Sequence, residues 1–371
     1  MKKIIILSIV ILSVTACTPG NTNSKKEDNK ELATLFNNYY EQRLKLYPLE
    51  ATAVGDTRYN HLLPVEFTDS YRDTLKNFYN QNLTYVSKYD RENLNDQDKI
   101  SYDVFKREMQ INLEGLGFPE NYIPFQQFTG LPLTMGQLGS GHGNQPFKTV
   151  KDYDDWISRA SKFSVWVDSS IVYFKKGIAS NYVLPKALVE KMIPEMEAMQ
   201  VKEDTASLFY SPVKSFPVDF SGADKSRLTT AFITLIHQQI IPSYKKLAGF
   251  LKHQYLFKAR TTSGINALPN GTNYYQYLIR SQTTTNKMPE EIYQTGLSEV
   301  ARIGKLQDSV KNSVVFKGDM QAFFEFMKTG KQFMPYKAPQ DVLRAFEAIH
   351  KKIKPKIKKM FNHIPKTPFE I

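Results

Sequence analysis

Apolar residues recur along this chain at steps of three and four, the spacing of one face of a helix. Leu32, Leu35, Phe36, Tyr39 and Leu46 form one such stripe, ended by Pro48. Trp156, Ala160, Phe163, Val167, Ile171 and Phe174 form a longer one, opened by Thr149 as a cap. Leu228, Phe232, Leu235, Ile236 and Ile240 follow, and Pro242 is expected to kink or break that helix. Ile292, Val300, Ile303, Leu306 and Val310 make another, entered by Pro289 with Glu290 and Glu291 in its first turn. Val342, Phe346, Ile349, Ile353, Ile357 and Met360 make the last. Shorter helices are expected at 69–88, 96–114, 186–200 and 319–329. No run alternates apolar with polar before residue 365, and no repeat has a fixed period. The pattern predicts an all-α fold, a large multi-helix array.

Structure-breaking residues place loops at 115–148, 201–223, 259–272 and 330–339. The first is long and rich in Gly and Pro, a length at which loops in compact domains often carry function. No linker divides the body, so 31–371 reads as one helical domain.

The N-terminus reads as an address. Lys2 and Lys3 precede an apolar run from Ile4 to Val14. That run is shorter than the roughly 20 residues a membrane span needs and fits the core of a secretory signal. Val14-Thr15-Ala16-Cys17 then looks like a bacterial lipobox, and Cys17 is the only cysteine of the chain. The expectation is a signal peptide over 1–16, lipid and palmitate attachment at Cys17, and a polar, flexible tether over 17–30. Several acyl chains hold a protein on a membrane where one is marginal. The expected location is the cell envelope, as an exported, membrane-anchored lipoprotein.

Composition narrows the class. The 371 residues are 41% hydrophobic and 23% charged, which excludes a disordered chain and a multi-pass membrane protein. One cysteine excludes a disulfide framework and a Cys-based zinc site. The 21 Tyr and 24 Phe support a large ring-rich core. A net charge of +12 names no partner by itself. Lys351, Lys352, Lys354, Lys356, Lys358 and Lys359 crowd one helix and read as a solvated face, available to anionic lipid. No nucleic-acid module accompanies them, and no nucleic-acid partner is expected.

No complete catalytic set emerges. The six histidines include no pair one helical turn apart with a Glu beside the first, the pattern of a helical zinc hydrolase. Glu347-Ala348-Ile349-His350 has the step used in di-iron bundles, but no second copy exists. Ser140, in Gly136-Gln137-Leu138-Gly139-Ser140-Gly141-His142-Gly143, lacks the Gly two residues earlier that a nucleophile elbow needs. The glycine-rich stretch is left as a sharp turn or a loop that lets a ligand approach.

Leu46-Tyr47-Pro48-Leu49-Glu50-Ala51-Thr52, followed by Gly55-Asp56 and Tyr59-Asn60, resembles the opening signature of the bacterial family called domain of unknown function 885. The resemblance continues at Gly136–Phe147, at Tyr274–Arg280 with Thr283–Thr285, at Pro289–Ile303 and at Ile364–Glu370, covering most of 35–371. It implies a largely helical, zincin-like metallopeptidase, secreted or lipid-anchored, with an H-E-x-x-P-G-H helix whose two His bind zinc and whose Glu activates water. In the family that helix follows the segment matching Pro365–Glu370, and this sequence stops at Ile371.

The resemblance therefore implies the N-terminal part of a hydrolase, an incomplete half of a zincin-like fold, inactive alone. No catalytic residue and no metal ligand is carried onto this chain. Zinc is expected only in full-length relatives, and the implied partners are a separately encoded C-terminal half and a peptide substrate. This half would supply one wall of the cleft, for which Gly139, Gly141, His142, Tyr274, Tyr275 and Tyr277 are the candidates. The tyrosines would hydrogen-bond a carbonyl or oxyanion, or else only pack their helix. The alternative is a non-catalytic, membrane-anchored helical binding protein.

Overall fold

A computed structural model describes residues 27–367 and 369. The expected signal peptide, Cys17 and most of the tether lie outside the described residues. Where description begins, the chain is already pinned. The Asn29 amide donates to Asp98 Oδ2 at 2.7 Å, and the Asn29 side chain accepts from the Leu32 amide, capping the first helix.

The described residues are helical throughout, joined by turns. The helices are α1 (Lys30–Leu46), α2 (Pro48–Ala53), α3 (Asp69–Val86), α4 (Asp96–Gly115), α5 (Leu131–Gly139), α6 (Val150–Ala160), α7 (Phe163–Ala179), α8 (Lys186–Ala198), α9 (Gly222–Leu235), α10 (Ile241–Phe250), α11 (Gly271–Thr283), α12 (Pro289–Ser313), α13 (Met320–Thr329) and α14 (Pro339–Ile357). Extended pairing among the described residues is one isolated bridge, Pro185 with Arg260. The all-α reading holds. Thr68 and Asn95 cap α3 and α4, and Thr149 with Asp152 forms a capping box on α6. Each such cap contributes about 1 kcal/mol by pairing donors that the helix leaves open.

Two expected elements come out differently. The long stripe from Trp156 to Phe174 is split, because the Lys162 amide bonds back to Arg159 O and tightens the turn between α6 and α7. The segment around Pro242 neither breaks nor ends the helix. A π-turn over Ile236–Ile240 precedes the proline, with the Ile241 amide donating to Ile236 O, and the widened turn runs straight into α10. A second π-turn follows over Leu251–Tyr255.

The described residues form two compact units, divided between Asn286 and Lys287. In the first, α1, α3 and α4 close over Leu32, Leu75, Phe78, Tyr79 and Met109. A larger core, centred on Trp156, Phe163, Phe174, Phe232, Tyr244 and Tyr255, joins α5 through α10. The second unit is thinly filled. Phe323 is its one fully buried side chain among the described residues, packed against Phe316 and Phe326. The apolar stripe of α14, expected to be buried, is exposed: Phe346 by 54% and Ile353 by 49%. The six lysines beside it are exposed as well. His350 lies inside α14, its ring edge-on to Phe369.

Candidate functional site

Arg159, on α6, is wholly buried and has no carboxylate partner. Its Nε donates to Leu62 O at 2.9 Å, and its Nη2 donates to Tyr59 O at 2.7 Å. Its Nη1 donates to Thr52 Oγ1 at 2.9 Å and to Gln145 Oε1 at 2.7 Å. Thr52 Oγ1 in turn donates to Asn60 Oδ1. Burial lowers the guanidinium pKa to about 10, which leaves it charged at neutral pH. A charge held this way is stabilised by carbonyl dipoles, each a charge-assisted bond. The knot anchors the irregular segment 54–68 between α2 and α3, and so fixes one side of a cavity.

That cavity has a volume of about 490 Å³. Tyr47, between α1 and α2, and Leu49 of α2 close it on one side, with Glu66 and Phe67 from the irregular segment, Arg72 from α3 and Trp166 from α7. Among the described residues Glu66 has no hydrogen-bond or ion-pair partner. Desolvation, with added repulsion from Glu50, raises its carboxyl to about 7 although Arg43 pulls the other way. Arg43 itself is engaged by Glu50, its Nε 2.9 Å from Oε1 and 3.0 Å from Oε2. The Tyr47 hydroxyl meets that of Tyr79 at 2.8 Å, and burial raises its pKa well above the usual range. A carboxyl near neutrality in a cleft is the kind of group that binds or moves a proton.

A second cavity of about 450 Å³ shares Glu120, Ile123, Pro124 and Gly130 with the first. Gly130 has φ +131°, and a Cβ there would stand 2.3 Å from that of Phe125, so only glycine lets the partition close. Tyr274 reaches this wall and donates to Glu120 Oε1 at 2.7 Å. The Tyr182 hydroxyl on the same cavity is buried without a partner.

Of the six residues singled out from the sequence, Tyr274 alone lines either cavity. Tyr277 is buried, its hydroxyl against Gly115. Tyr275 is exposed. Gly139 packs against Phe209 and Trp156, while Gly141 takes φ +80° beside Pro212. His142 is exposed. The glycine stretch thus forms a turn at the end of α5, and the tyrosines pack α11. The two groups do not meet on a common cavity wall. Glu66 escaped the pattern because it sits in no helix. Its signal was a single acid inside Leu62-Leu63-Pro64-Val65-Glu66-Phe67.

Among the described residues no group of three or more His, Cys, Asp or Glu side chains is arranged to hold a metal ion. The residues present do not fit a zinc centre, and no chemical step is derived through one. No helix among them is long and apolar enough to cross a membrane.

The profile of the family described as "Bacterial protein of unknown function (DUF885)" matches residues 48–371. The chain belongs to the DUF885 family. The match begins at Pro48, whose carbonyl faces Arg159 Nη2. Among solved structures, this DUF885 chain is similar to one described as "the putative lipoprotein from Colwellia psychrerythraea", with a TM-score of 0.73 and 21% identity. The likeness covers 92% of this chain and spans 61% of that one. No curated protein matches the chain.

Proposed function

We propose that this protein is a lipoprotein of the bacterial cell envelope, anchored through Cys17, whose helical body binds a ligand in the paired cavity. On this reading it contributes the binding wall of a hydrolase acting on peptide or related amide bonds. The metal chemistry comes from the part of the family fold that these residues do not include, this chain spanning 61% of the similar solved structure. The observation that carries the binding role is Glu66, an ionisable side chain without a partner in a cavity sized for a small ligand. The lipobox supports the anchor, as does the description of the similar solved structure as a lipoprotein. The hydrolytic role rests on the family resemblance alone. The exposed apolar stripes of α12 and α14 support a covering partner.

A second reading, a binding lipoprotein without catalysis, draws on a specific observation. Every side chain that lines the first cavity comes from residues 47–166, inside the first unit. One set of measurements separates the readings. The full chain is expressed in a bacterial host, partitioned in detergent, and assayed for zinc and for peptide cleavage with and without a chelator. The expected result is membrane association lost in Cys17→Ala, zinc well under one equivalent, and no cleavage by the chain alone. Cleavage that appears on adding the complementary polypeptide supports the hydrolase reading. Soluble wild-type protein, or chelator-sensitive cleavage by the chain alone, overturns the proposal.

A further inference from the structure

We infer that the cavity holding Glu66 takes an ammonium group carried on an apolar body, of the kind that a free peptide N-terminus followed by a hydrophobic side chain presents. The inference rests on the binding reading above and specifies what is bound.

The charges around the cavity decide the sign. Glu66 faces it from the irregular segment and Glu120 from the partition. The single lining cation is Arg72, whose Nη2 already donates to Leu116 O and Phe118 O, both at 2.8 Å. Behind the wall, Arg43 of α1 is neutralised by Glu50 of α2. The remaining ionisable neighbours are the hydroxyls of Tyr47, Tyr71 and Tyr79. Tyr47 and Tyr79 bond to each other, and Tyr71 donates to Leu46 O. The lining thus sets two carboxyls, Glu66 and Glu120, against the one guanidinium of Arg72, so with both carboxyls ionised the excess charge among the described residues of the site is negative.

Apart from Asn121 and Thr134, the remaining lining is apolar and aromatic. Leu49, Leu63, Phe67, Leu131 and Trp166 give a surface that rejects a small hydrated metal ion and favours a greasy cation. Ring faces add a further attraction for ammonium. A ligand of this type arrives as the ammonium, and Glu66 releases its proton to solvent as it pairs. The ion pair then forms beside the apolar wall, where a charge-assisted hydrogen bond is stronger than in open water.

The test uses the full chain in detergent and calorimetric titration near pH 6.5 with leucinamide, phenethylamine and N-acetyl-leucinamide. Both free amines should bind and the acetylated compound should not. Because Glu66 gives up a proton, the heat should change with the ionisation enthalpy of the buffer. Glu66→Gln should weaken the amines by about tenfold or more, given the strength of hydrogen bonds to charged groups, and abolish the buffer dependence. Glu92→Gln, on the exposed surface, serves as the control and should change neither. Binding of leucinamide without phenethylamine would assign the site to peptide ends, and binding of both to amines generally; either supports the inference. Equal binding of the acetylated compound overturns the ammonium claim and leaves the cavity a binding site. Failure of all three compounds, with thermal unfolding intact, overturns the claim and the binding reading together. Unchanged affinity in a folded Glu66→Gln variant overturns the assignment to Glu66.

Discussion

Arg159 Nη1 stands 2.7 Å from Gln145 Oε1, and through that contact α6 ties the glycine-rich turn after α5 to the segment that follows α2. Two of the stretches of sequence that resemble the family thus meet at a single buried guanidinium. Arg159→Met should cost about 3–5 kcal/mol, because it strands Thr52, Gln145 and the carbonyls of Pro48, Tyr59 and Leu62 without this donor. Arg159→Lys should recover only part, since an ammonium cannot span all five acceptors in a planar fork. Chemical denaturation of the three proteins measures this.

Glu66 makes stability depend on pH. Unfolded, it titrates near the ordinary 4.5, and folded near 7. Between those values the folded chain keeps a proton that the unfolded chain has lost, so stability falls as pH rises through that window and levels off above it. Glu66→Gln removes the dependence. Its advantage over wild type should be near zero at about pH 4 and reach on the order of 2 kcal/mol above about pH 8. Denaturation midpoints across the pH range show whether the two curves diverge.

The glycine turn separates packing from exposure. Gly139→Ala would push a Cβ to 2.4 Å from Phe209 Cδ1 and 2.6 Å from Trp156 Cζ2, both in a filled core. A loss of about 1–3 kcal/mol is expected. Gly141→Ala meets no clash but strains a positive φ, for about 1 kcal/mol. His142→Ala should stay within about 0.5 kcal/mol, as exposed sites do. Thermal melts that rank the three in this order support a structural role for the turn.

Val300 is 72% exposed and Leu306 53% on α12, and Phe346 is 54% exposed on α14. Such apolar stripes left uncovered bind hydrophobic dyes and self-associate. The purified chain should do both. A triple change, Val300→Glu, Leu306→Lys and Phe346→Glu, should reduce both while leaving the melting of the first unit in place. Light scattering with dye titration provides the check.

Helix periodicity made the elements readable and left their meeting points unread. Leu32, Trp156 and Phe232 announce buried faces because burial is what repeats them. Arg159 does not, since a charged residue on an amphipathic helix ordinarily marks the solvent side, and all its acceptors but Gln145 lie about a hundred positions away. Glu66 lies outside any period. The exposed stripe of α14 has the same pattern as a buried one, because amphipathic spacing shows that a face is apolar and not what covers it. The division at Asn286 carries only a polar run, Thr283-Thr284-Thr285-Asn286-Lys287, which also suits an ordinary turn.

The π-turn before Pro242 has a consequence for how this chain can change length. A five-residue hydrogen-bond step accommodates one residue more than the turn around it would need, like a slack link in a taut chain. Shortening Ile236–Ile240 by one residue would draw the link tight and restore a regular spiral. Everything beyond it, Tyr244 and Tyr255 included, would keep facing the ring-lined interior, whereas the same deletion from a regular turn would swing them about 100° away.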